Sequence, residues 1–178
     1  METFDRVDEN DNVIGRTDKQ EAHELAYIHR VVAVFVFTQN GELYMQEHIK
    51  TGNAYDHSAG GHVLSGETYD DAAKREAEEE LGITEPTTKL GTFLSKDGRG
   101  HMFGLYEVTV PSSWKFKPND EVEKIIPMSI PDIVRSMNED PSKFTRGFRW
   151  TMNEYIKLKN LPQTINQEAL YSVKEGRL

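Results

Sequence analysis

The sequence predicts an α/β chain in which helices cover both faces of a mixed β-sheet, an α/β/α sandwich in outline. Three observations carry this. Val31–Phe37, VVAVFVF, is almost continuously apolar and rich in β-branched and aromatic residues, as a central strand buried on both faces requires. The segment 68–81 has a helical pattern, with Ala72, Ala73 and Ala77 small enough to let a helix approach a sheet closely. The segment 142–158 repeats apolar residues at Phe144, Phe148, Met152 and Tyr155-Ile156, one stripe of a second helix.

The 178 residues suit a single domain, 1–178, with an N-terminal β-hairpin at 3–16 and a C-terminal helical segment at 142–172. A net charge of −9 disfavours a basic face for a nucleic-acid polymer. It leaves a small phosphate ligand open, because a bound cation reverses the local sign. No cysteine is present, which excludes disulfides, thiolate metal sites and a cysteine nucleophile. No apolar run is long enough to span a membrane, and METFDRVDEN lacks a leader pattern, so a cytoplasmic protein is expected. A homodimer is compatible with these features.

In chain order, 3–8 and 12–16 read as strands around the turn-rich Glu9–Asn12, and Asp18 caps a short helix through His23. His23 and His29 are six apart, off a common helical face, so the spacing implies no shared metal. Asn40-Gly41 signals a hairpin from Val31–Phe37 into 42–47. His48–Asp56 reads as a polar loop suited to substrate contacts, with Lys50 placed to meet a phosphate and Tyr55 to stack on a base. Ser58–Val63 reads as a short strand, and the helix after it runs from a Thr68 cap to Gly82. Strands follow at 90–94, 102–110 and 120–126, the last closed by Pro127. A short helix covers 131–137, the longer one 142–158, and a helical turn 168–171. Trp150 lies off the apolar stripe of the long helix and is a second candidate for stacking on the non-phosphate end of a ligand.

Chemistry concentrates in 61–83, GHVLSGETYDDAAKREAEEELGI. Glu76, Glu79 and Glu80 are spaced i, i+3, i+4 and share one helical face. Three like charges there repel by roughly 0.2–0.5 kcal/mol per pair, and Arg75 relieves only part of this. A hard divalent cation, taking carboxylate oxygens and bridging to phosphates, relieves it better. A solvated acidic face would account for the glutamates alone, but not for the glycines at 60–61 or for Arg75.

Gly61, Glu67, Arg75-Glu76, Glu79-Glu80 and Gly82-Ile83 fall on the pattern GX5EX7REUXEEXGU, so the stretch resembles the Nudix box. Ala77 is small for the aliphatic position. The resemblance implies a Nudix-type α/β/α sandwich and a Mg²⁺-dependent hydrolase, with Mn²⁺ an alternative ion. The substrate implied is a small molecule with a diphosphate linkage, a nucleoside diphosphate derivative or a related organic diphosphate. It implies Glu76 and Glu80 as metal ligands, Glu79 as a third ligand or sharer of the base role with Glu76, and Gly60 as a carbonyl ligand. Arg75 then pins Glu67 and Glu79. Some family members use an acidic residue outside the box, and Asp120, Glu121 and Glu123 stand in about that place.

From His29 through the box the chain also resembles the subgroup containing type 1 isopentenyl diphosphate isomerase. His29 and His62 match metal-binding positions of that isomerase. Its catalytic cysteine falls at Gly60, and its later glutamate pair falls near His101–Glu107, where HMFGLYE has none. An isomerase-like enzyme and a non-catalytic ligand-binding module are therefore the alternatives, and the complete acid set argues against both.

Overall fold

The computed structural model describes residues 2–48, 52, 54–117 and 122–172. Strands β1 (Thr3–Val7) and β2 (Val13–Asp18) form the N-terminal hairpin, and α1 (Lys19–Glu24) follows with Asp18 accepting from Glu21 N–H as its cap. The sheet is built on β3 (His29–Thr38). One edge of β3 pairs in parallel along its whole length with β8 (His101–Val110). The other edge is shared in turn by β1 at His29, β6 (Ala59–His62) at 31–34 and β4 (Leu43–His48) at 36–37, all antiparallel. β7 (Thr88–Leu94) pairs with β8, while β5 (Tyr55–Asp56) and β9 (Val122–Met128) pair with β4.

Alternation along β3 separates two cores. Val31, Ala33, Phe35 and Phe37 pack with α3 (Ile130–Glu139), α4 (Arg146–Leu158) and α5 (Gln167–Tyr171). Val32, Val34 and Val36 pack with α2 (Tyr69–Leu81) on the opposite face. This is the expected α/β/α sandwich, and it needs a strand apolar on both sides. Ala72 and Ala73 are 0% exposed, so α2 lies directly on the strands. Thr68 caps α2 by accepting from Asp71 N–H, and Gly82 ends it in the left-handed conformation at φ 70°. Among the described residues, no helix is long and apolar enough to cross a membrane.

Three local expectations are corrected. The helix expected over 142–158 starts at Arg146: Phe144 is fully buried in extended conformation and bridges to Tyr55, and Thr145 N–H donates to the Tyr55 carbonyl. That sheet-like contact interrupts the helical ladder, which Thr145 then restarts by accepting from Phe148 N–H. Pro127 does not close its strand. It lies within β9, paired with β4, at a sheet edge where a missing N–H is tolerated. The loop read over 48–56 contains the short strand β5.

The first turn of α2 depends on Gly104 of β8. A Cβ there would lie 2.5 Å from the buried Tyr69 ring, whose hydroxyl faces the Met102 carbonyl. Gly104→Ala is expected to destabilise the fold by about 1–3 kcal/mol. A lowered urea midpoint with an unchanged slope would show this, and an unchanged midpoint would show that Tyr69 is free to move.

Candidate active site

The acid cluster is assembled by α2 lying against β6. Gly61 has no side chain because the Glu76 carboxylate occupies that space: a Cβ would sit 2.1 Å from Glu76 Oε1. Gly60 is equally constrained, its missing Cβ falling 2.7 Å from the Val32 carbonyl oxygen. Gly60 N–H donates to Glu80 Oε2 at 3.2 Å, and Gln46 Nε2 donates to the same oxygen at 2.9 Å. Gln46 also donates to the Ser58 carbonyl, so β4, β6 and α2 meet at one carboxylate. Glu79, three residues after Glu76, projects outward with its side chain 61% exposed.

Arg75 joins the pieces. It makes a two-pronged contact with Glu67 at 2.9 Å for each pair, reaches Glu76 Oε1 at 2.7 Å and donates to the His62 carbonyl at 3.0 Å. Its approach to Glu79 is longer, at 3.5 Å. Burial works against the charge on Glu67, yet hydrogen bonds from Arg75 and from Leu64 N–H hold its carboxyl below the ordinary range. The two inner carboxylates behave in the opposite way. Burial raises Glu76, with Glu79 and Glu67 adding to the effect. Burial pushes Glu80 up to about 8, with Glu76 adding to it against the donors Gln46 and Gly60. Carboxylates so placed are poorly stabilised anions, and an oxygen-seeking dication is the partner that such a donor set fits.

Beside this cluster, and reaching Gly60 and Gly61, is a cavity of about 410 Å³. Lys19, Arg99 and Arg146 bring positive charge to it, Asp56 and Asp97 negative charge, and Phe103 and Phe144 an apolar wall. His57 also lines it, held between Asp56 (2.6 Å from Nδ1) and the buried Thr151 hydroxyl (2.7 Å from Nε2). Of these, the sequence pattern marks only Phe144, and that as a core position; the signal of the others is weak because they come from separate elements or loops.

The expected substrate residues fare differently. Lys50 lies outside the described residues, as do Asp120 and Glu121, while Glu123 is exposed on the edge strand β9. Tyr55 is half-buried and packs on Phe144, which itself lines the cavity. Trp150 is a core residue, 7% exposed and edge-on to Tyr171, away from the cavity lining. The stripe of α4 is wider than its sequence repeat because the helix packs on α5 as well as the sheet.

The spacing of His23 and His29 implies no shared metal, but the fold brings the two rings together. They lie on different elements, α1 and β3, and their ring centroids are 5.4 Å apart. His62 and His101 join them. Burial lowers His29 to about 4 and His62 to about 2, and the neighbouring imidazoles add to both effects. His101 carried a missed signal: it opens β8 as His29 opens β3, and parallel pairing sets them opposite each other.

A carboxyl raised by folding holds its proton longer in the folded chain than in the unfolded one. Chelator-treated protein is therefore expected to lose stability as pH rises from the ordinary glutamate value of 4.5 through about 8. Glu80→Gln removes this contribution, so urea midpoints should move in favour of the variant across that window and level off above it. A difference independent of pH would show that Glu80 ionises normally.

Comparison with known proteins agrees with this geometry. The NUDIX domain profile matches residues 27–148. An uncharacterized Nudix hydrolase from Streptomyces coelicolor is 40% identical over 117 residues, covering 61% of this chain and 65% of its own, just under two-thirds. An isopentenyl-diphosphate Delta-isomerase from Pectobacterium atrosepticum is 30% identical over 158 residues, covering 82% of this chain and 86% of its own. The crystal structure of DR0079 from Deinococcus radiodurans aligns with a TM-score of 0.65 at 26% identity, covering 78% of this chain and 90% of that one. With the profile spanning more than half its length and the acidic loop–helix assembled as described, the chain belongs to the Nudix hydrolase family.

Proposed function

We propose that the protein is a Mg²⁺-dependent hydrolase of a diphosphate linkage, in a nucleoside diphosphate derivative or a related organic diphosphate. The observation that carries this reading is the pair of inner carboxylates, Glu76 and Glu80, set against the glycines of β6 that also line a cavity bearing Lys19, Arg99 and Arg146. Glu76 and Glu80 would hold the ion, with Glu79 or the Gly60 carbonyl completing the protein ligands. Bound there, Mg²⁺ or Mn²⁺ would neutralise phosphate charge and acidify a water.

The chain's own groups account for the rest. The outward Glu79 carboxylate is accessible to a water and can accept its proton, unless it completes the ligand set. Arg75 keeps Glu76 in place and is itself too fully engaged by Glu67 and Glu76 to serve the substrate. Lys19, Arg99 and Arg146 offer charge to the ligand's anionic groups, while Phe103 and Phe144 suit its apolar or aromatic part. Tyr55 acts behind Phe144, by packing, and Trp150 has no part in this reading.

Glu80→Gln keeps size and removes an anionic ligand. In a metal-supplemented screen of nucleoside diphosphates, sugar nucleotides, dinucleoside polyphosphates, CoA and prenyl diphosphates, phosphate-product release is expected from wild type. Turnover and Mg²⁺ affinity should fall together in the variant. Unchanged Mg²⁺ titration and activity would remove Glu80 from the ligand set.

The isomerase relative supports an organic diphosphate in the same cavity, but the residues do not support its chemistry. The chain has no cysteine, and Gly60 stands where the isomerase resemblance puts the catalytic one. Purified protein given isopentenyl diphosphate is expected to form no dimethylallyl diphosphate, and detection of that product would overturn the hydrolase reading.

A further inference from the structure

The cavity wall that begins at the β6 glycines continues, contact by contact, to the first turn of α4. A Cβ on Gly60 would stand 3.8 Å from His57 Nδ1. The His57 ring lies 5.7 Å, centroid to centroid, from the ring of Phe103. A Cβ on Gly147 would stand 3.6 Å from His57 Cε1 and 3.3 Å from Phe103 Cζ. Gly60, His57, Phe103 and Gly147 all line the cavity, and Arg146 lines it beside Gly147. The wall therefore starts at the glycines next to the carboxylates, is aromatic in the middle, and becomes cationic at Arg146.

Arg146 is the first residue of α4, and the first turn of that helix holds no acidic residue. A cation there faces the positive end of the helix dipole, an unfavourable placement that an anion would offset. The guanidinium is seated on the 97–100 turn, since a Cβ on Gly98 would be 3.5 Å from Arg146 Nη2. Its Nε is buried with no hydrogen-bond partner. Leaving a donor of a charged group in that state is costly, and such donors are rare. Two carboxylates share the cavity wall, but each is taken by a histidine. Asp56 lies 2.6 Å from His57 Nδ1, and Asp97 lies 2.7 Å from His101 Nδ1. Among the described residues no carboxylate pairs with Arg146. A surface arginine in solvent would account for an unpaired guanidinium, but not for the buried Nε or for a seat on the cavity wall.

We propose that Arg146, with Arg99 on the adjoining turn, binds a second anionic group of the substrate, a phosphomonoester carried on the part remote from the diphosphate. The proposal rests on the diphosphate reading above, which puts the reacting end at Glu76, Glu80 and the β6 glycines. A guanidinium meets phosphate oxygens through two parallel N–H donors. A phosphomonoester carries roughly two negative charges at neutral pH, which suits two cations better than the single charge of a carboxylate. Phe103 and Phe144 would take the planar group that joins the two anions. The substrate class so defined is a nucleoside diphosphate derivative with an extra phosphate on its ribose. A prenyl diphosphate does not fit it, because its far end is a hydrocarbon and offers the guanidinium no acceptor.

The test compares ligand pairs that differ only in a ribose phosphomonoester: coenzyme A against 3′-dephospho-coenzyme A, NADPH against NADH, and 2′-phospho-ADP-ribose against ADP-ribose. Affinity is read by calorimetry on the full chain treated with a chelator, where no turnover intervenes, and kcat/KM is read with Mg²⁺ present. At least one pair is expected to show about 10–100-fold tighter binding of the phosphorylated member, weakening as salt is added. Arg146→Met keeps an unbranched apolar stem and should bring that preference close to unity, while Arg146→Lys should retain part of it. An arginine with a merely structural role would weaken both members of a pair alike. Equal affinity within all three pairs, no binding of any member, or an undiminished preference in Arg146→Met would overturn the proposal. Hydrolysis in every pair with no preference in either readout would overturn it and leave the hydrolase reading standing. A calorimetric preference that depends on Arg146, without metal-dependent product release, would support the subsite and overturn the hydrolase reading instead.

Discussion

The Arg75 guanidinium ties the loop at 64–67, strand β6 and helix α2 together and offsets the repulsion among Glu67, Glu76 and Glu79. A planar fork meets these demands at once, donating to Glu67 through two nitrogens, to Glu76 through the third and to a backbone carbonyl alongside. A lysine could satisfy any one of these partners but has no such fan of donors. Hydrogen bonds from Arg75 hold the Glu67 carboxyl below the ordinary range, whereas burial raises Glu76, despite its own contact with Arg75, and raises Glu80.

Strand β6 is a thin wall with chemistry on both sides. Its glycines let Glu76 and Glu80 come within reach of the backbone, and the same glycines line the cavity. A side chain at either position would push the acids away from the place where a ligand's phosphates would lie. The wall is held flat by β3 on one edge, and β3 is held by β8 on its other edge. Core packing and site geometry are therefore the same set of contacts viewed from two directions.

Much of this was legible in the sequence where one stretch decides its own structure. The double-sided apolarity of Val31–Phe37, the Thr68 cap, the Gly82 stop and the spacing of Glu76, Glu79 and Glu80 are local, and the structure realises each. The Asn40-Gly41 turn is realised too, with Gly41 left-handed at φ 82° and Thr38 paired to Glu42. What was not legible depends on partners far along the chain. Phe144 reads as helix until Tyr55 bridges it, and Trp150 reads as free until α5 covers the second side of α4. The histidines form a group only after four elements meet, so no spacing between any two of them announces it.

The parallel pairing of β3 with β8 sets an order of events as the chain folds. His29 stands opposite His101 in that register, and the loop closed by their meeting contains the whole of α2 and the glycines of β6. Closing a long loop costs chain entropy before its contacts repay it, which makes parallel pairings late and slow steps. The acidic helix and the glycine strand before it are close in sequence and can find each other without that closure. His101 cannot join the other imidazoles without it. A fluctuation that peels β8 from β3 would carry His101 away, while His29 and His62 stay together through the β3–β6 pairing and the helical carboxylates stay with β6.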